Sequence, residues 1–110
     1  MDNPEIQFSL RALGKHVPAQ SRLIVIGGSA LALLGSPRLT IDIDFIGDDI
    51  SPSKLDKIIM EAGRQLGILV EPVPLERFIP LPEGSFERKL RIGQFGNLEV
   101  FSSPIPIVLP

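Results

Sequence analysis

Apolar residues recur along this chain in different rhythms, and each rhythm predicts a different element. Near the N-terminus, Ile6, Leu10 and Leu13 are spaced for one face of a helix, with Arg11 and Lys15 on the wet side. Asn3-Pro4 reads as its start, a capping residue followed by proline at the first helical position, and Gly14 as its stop. The unbroken run from Leu23 to Ile26 predicts a buried strand over 22–26. A short helix is expected over 29–34, just after Gly27-Gly28, with Gly35 as its C-terminal cap and Ser36-Pro37 as a turn. Residues 40–46 alternate, so Ile41, Ile43 and Phe45 take one face of a second strand, and Asp42 and Asp44 the other.

Ser51-Pro52 opens a longer helix reaching about Gly67. Its buried stripe is Leu55, Ile58, Ile59, Ala62 and Leu66, and Lys54, Asp56, Lys57, Glu61 and Arg64 lie outside. Residues 68–71 are β-like, but Pro72 and Pro74 prevent a long central strand. Residues 75–79 read as a helical turn, followed by a loop punctuated by Pro80 and Pro82. Residues 87–93 and 97–102 read as a hairpin turning at Phe95-Gly96-Asn97. The tail, PIPIVLP, is apolar and broken by proline.

The order α-β-α-β-α-β, closed by a hairpin, predicts an α/β (α+β) fold: a mixed sheet with helices packed against it and a C-terminal hairpin. The hairpin excludes a wholly parallel sheet. A length of 110 residues suits one domain spanning 1–110, and 44% apolar residues argue against disorder. The net charge of −2 removes a broad basic surface for non-specific duplex binding. Cysteine is absent, which excludes disulfides and thiolate zinc sites and fits a cytoplasmic location. No apolar stretch reaches the roughly 20 residues needed to span a bilayer, and Asp2 and Glu5 spoil the basic-then-apolar order of a signal peptide.

The chemistry concentrates in residues 23–47. Asp is depleted in strands, so two on one face of an otherwise apolar strand need a cationic partner. A divalent cation such as Mg²⁺ supplies one, because hard cations prefer carboxylate oxygens. Gly27, Gly28 and Ser29 stand where a strand turns into a helix. Glycines there let a phosphate approach the backbone, and a helix N-terminus offers it N–H groups. The dinucleotide pattern G-x-G-x-x-G is missing, as is the P-loop lysine. A site for a metal-bound nucleotide is the reading that remains. The single histidine, His16, sits at a helix end and reads as a surface residue.

The stretch Gly27-Gly28-Ser29, followed by Arg38-x-Thr40-x-Asp42-x-Asp44, resembles the nucleotidyltransferase superfamily with DNA polymerase β-like cores. It is most similar to a minimal branch containing uncharacterised prokaryotic proteins and the nucleotidyltransferase toxins of toxin–antitoxin systems. The resemblance implies transfer of a nucleotidyl group from an NTP to a hydroxyl on RNA or protein, with Mg²⁺ or Mn²⁺. It assigns Gly27, Gly28 and Ser29 to the phosphate-binding turn, Arg38 and Thr40 to the nucleotide, and Asp42 and Asp44 to the metals. It also implies a third carboxylate on a later strand, for which Glu99 is the first choice and Glu71 the second. Arg88 and Arg91 are then available to line a path for triphosphate or nucleic acid. The family's usual helix after the hairpin has no counterpart before Pro110, so an antitoxin or a second copy is an expected partner. A non-catalytic module that binds NTP or a protein partner is the alternative.

Overall fold

A computed structural model describes residues 2–35, 42–47, 50–74 and 89–102. The expected helical turn at 75–79, together with Arg38, Thr40, Arg88 and the apolar tail, lies outside the described residues. The elements are α1 (Asn3–Gly14), β1 (Ser21–Ile26), α2 (Gly27–Leu33), β2 (Ile43–Ile46), α3 (Lys54–Leu66), β3 (Val70–Val73), β4 (Leu90–Phe95) and β5 (Leu98–Ser102). The strands form one mixed sheet in the order β3-β2-β1-β5-β4. β1 runs antiparallel to β2 and parallel to β5, β2 runs parallel to β3, and β4-β5 is the expected hairpin. The α+β class expected from the element order is the class observed.

Strand alternation divides the sheet into two faces. Leu23 and Val25 of β1, Ile43 and Phe45 of β2, and Leu98 and Val100 of β5 point into one core. Ile6, Leu10 and Leu13 of α1, Ala30 and Ala32 of α2, and Ile59 and Ala62 of α3 meet them there, so all three helices cover the same face. The intervening residues Arg22, Asp44, Glu71, Arg91 and Glu99 occupy the opposite face.

Several boundaries differ from expectation for local reasons. The N-cap of α1 is Asp2, whose Oδ1 accepts from the Glu5 N–H at 3.0 Å. Asn3 is the first helical residue; its side chain donates to the Ala32 carbonyl and so ties α1 to α2. α3 starts after Ser53, which forms a capping box with Asp56, and it ends at Gly67 in the left-handed region. Leu66 is 40% exposed and leaves the buried stripe, where Gly63 is buried instead. Pro72 lies inside β3 rather than after it, which an outermost strand tolerates because its second edge needs no donor.

The hairpin turn is locked to the end of α1. The Asn97 N–H donates to the Gly14 carbonyl at 3.0 Å, its side chain donates to the Val17 carbonyl, and its own carbonyl accepts from the Ser21 N–H. Backbones approach so closely there that a Cβ on Gly14 would lie 1.9 Å from the Phe95 carbonyl oxygen. Helix propensity alone would make Gly14→Ala stabilising by about 1 kcal/mol. The clash with backbone reverses the sign: Gly14→Ala is expected to destabilise the fold by roughly 1–3 kcal/mol, read from the urea midpoint.

Candidate metal centre

β2, α3 and β3 form a β-α-β unit, and its parallel register sets Glu71 directly opposite Asp44. Antiparallel pairing sets Ile26, the last residue of β1, on the other side of Asp44. Asp42 lies two residues before Asp44, just ahead of the first residue of β2. One carboxylate oxygen from each of Asp42, Asp44 and Glu71 lies within 4.8 Å of the other two. Asp42 and Asp44 are half-buried and Glu71 is exposed, so the cluster opens outward through Glu71.

This arrangement is electrostatically expensive. Like charges directly opposite on paired strands destabilise a sheet. Burial, then the Asp42 charge, then the Glu71 charge push Asp44 from 3.8 up to about 6, and a hydrogen bond with Asp42 adds to the rise. A bound cation removes the repulsion, and the donor set suits one. Ligand oxygens around a small hard cation at about 2.1 Å lie roughly 3–4.2 Å apart, a spacing comparable to that of these three. The three carboxylates can thus hold a metal ion.

The glycine turn lies against the cluster. Gly27 has φ +66°, and a Cβ there would come within 3.3 Å of Asp44 Oδ2. The left-handed backbone favours glycine there, and the carboxylate beside it would have to give way slightly to a side chain. The helix begins at Gly27 itself, two residues earlier than expected, and no side chain caps its first turn. Gly28 is half-buried in that turn. Ser29 is only 1% exposed, and its hydroxyl donates to the Ile26 carbonyl at 3.0 Å. That hydroxyl braces the strand-to-helix junction, rather than standing open to a phosphate as expected.

Glu99 does not join the aspartates. It lies opposite Arg22 on β5, four residues along and two strands across from Asp44, roughly 16 Å away. Its carboxylate accepts from Arg91 Nε at 2.9 Å and faces Arg22 Nε at 3.5 Å. Glu99 is therefore the anionic centre of a cross-strand arginine pair, and Glu71 takes the place expected for it. Arg91 is correspondingly spent on this pairing. The signal for Glu71 was the β-α-β pattern itself, because such a crossover returns a strand parallel to the first.

Protein-family models, curated proteins and solved structures yield no match to this chain. The site therefore rests on its own geometry.

The raised Asp44 pKa has a defined sign in stability. The group binds its proton more tightly folded than unfolded, so its contribution is full below pH 3.8 and is lost as pH rises through about 6. In metal-free buffer, wild type should lose stability between pH 4 and 7 relative to Asp44→Asn, measured by urea melts. Mn²⁺ at pH 7.5 should raise the wild-type melting temperature and leave Asp44→Asn unmoved.

Proposed function

We propose that the chain is a minimal metal-dependent nucleotidyltransferase that moves a nucleotidyl group from an NTP to a hydroxyl acceptor. The observation that carries this reading is the Asp42–Asp44–Glu71 cluster beside the uncapped, glycine-initiated turn of α2. Mg²⁺ or Mn²⁺, when bound, would neutralise triphosphate charge and make the acceptor hydroxyl more acidic. Asp42 and Asp44, the half-buried pair, would hold the cation. Glu71, the exposed member, completes the donor set and takes the acceptor proton. The first N–H groups of α2, beside Gly27 and Gly28, receive triphosphate oxygens. The acceptor oxygen forms its bond to the α-phosphorus as the bond to pyrophosphate breaks. Arg38 and Thr40 belong to this site by resemblance.

The second reading is a module that binds NTP or a protein partner without turnover. The two readings separate in one assay. The protein is incubated with α-labelled NTPs, Mg²⁺ or Mn²⁺, and either total RNA or cell protein. Label should enter a macromolecule, vanish in Asp42→Ala/Asp44→Ala, and fall on the order of 100-fold in Glu71→Gln. Glu99→Gln should leave transfer intact, because that residue serves the arginine pair. Nucleotide binding without transfer to any acceptor would establish the module instead.

A further inference from the structure

The helical side of the molecule carries a feature that the acidic cluster does not use. Two hollows, of about 430 and 280 Å³, lie along α3 and share Ile58 as a wall. The α1–β1 connection forms their far side, with His16 at one hollow and Pro18 and Gln20 at the other. Gln20 holds φ +66°, the only positive φ at a non-glycine among the described residues, and so keeps this rim in an unusual backbone state. From Lys54 to Gln65 the lining extends roughly 17 Å at helical rise, the span of about five extended residues.

Charge identifies the occupant. In a chain of net charge −2, the hollows set the exposed Lys54 and Lys57 against a single carboxylate, Glu61. That carboxylate is already satisfied on its own helix by Arg64 and Gln65. Arg22 also borders one hollow, but its guanidinium is turned to Glu99 on the opposite face of the sheet. The walls between these cations are apolar, from Leu55, Ile58 and Ala62. A surface with an apolar floor and cationic rims is complementary to an acidic segment that carries apolar side chains.

We infer that the groove between α3 and the α1–β1 connection binds an extended acidic peptide, its apolar side chains against Leu55 and Ile58 and its carboxylates on Lys54 and Lys57. The site lies on the helical face, whereas Asp44 and Glu71 are on the opposite face, so it stands whether or not the acidic cluster turns over nucleotide.

Selection from a phage-displayed library of random eight-residue peptides against the wild-type chain tests this. Enriched peptides should combine Asp or Glu with apolar residues. By fluorescence anisotropy, their affinity should fall about tenfold for Lys54→Glu/Lys57→Glu, the order expected from losing a few exposed charge pairs, and stay unchanged for the off-groove Lys15→Glu. A glutamate at position 54 suits the N-terminus of α3, so lost binding would not reflect a lost helix, and circular dichroism checks this. No enrichment, enrichment of neutral or basic peptides, or unchanged affinity in the double variant would overturn the proposal. Sedimentation of the chain alone distinguishes a second copy: a dimer abolished by Lys54→Glu/Lys57→Glu would make that copy the occupant and overturn it equally.

Discussion

Mutual repulsion among three carboxylates is the constraint to which the functional half of this fold answers. Asp44 and Glu71 face each other across paired strands, and Asp42 stands beside them. Nothing in sheet packing rewards such a pairing. It persists because both strands are held in register by what lies on the other face: Ile43 and Phe45 are fully buried, and a one-residue slip would expose them. Core burial thus fixes the carboxylates together, and desolvation, reinforced by the charges of Asp42 and Glu71, raises the Asp44 pKa to about 6. A site organised in this way is poised for a cation, because binding recovers energy that folding has already spent.

The same logic explains the neighbouring glycine turn. β1 is central and is buried on its helical face, so its end at Ile26 is held firmly against β2. Beyond Ile26 the chain turns at once into α2 through Gly27, whose positive φ disfavours any side chain and whose Cβ position lies close to the Asp44 carboxylate. Ser29 then spends its hydroxyl on the strand's last carbonyl. At the far end of β1, the Asn97 contacts and the tight Gly14 crossing clamp the hairpin to α1. Both ends of the central strand are therefore pinned by backbone approaches that larger residues would spoil, and the acidic cluster inherits that rigidity.

Much of this architecture is legible in the residues. Helical spacing locates α1 and α3, the apolar run locates β1, and Gly96-Asn97 marks the hairpin turn. Asp42 and Asp44 stand out because alternation makes them face together where apolar residues are otherwise the rule. What the residues conceal is set by tertiary context. Pro72 argues against a strand by local rules, but an outermost strand can absorb it, and β3 is therefore easily cut short. Undervaluing β3 also undervalues Glu71, whose role depends wholly on lying opposite Asp44. Glu99 has the more convincing strand around it, yet strand quality says nothing about distance along the sheet. Its partners, Arg22 and Arg91, come from two other strands and become apparent only with the strand order.

The two faces of the sheet carry different charge clusters around one shared frame. Carboxylates gather where β1, β2 and β3 meet, and Glu99 is enclosed by arginines two strands away. On the helical side, cations gather along α3 with their apolar stems and neighbours between them. α3 links the two faces physically: it covers the core beneath the carboxylate strands and presents Lys54 and Lys57 on its outer side. An occupant ordering the α3 groove would press on the helix that joins β2 to β3, the two strands whose register brings Asp44 and Glu71 together.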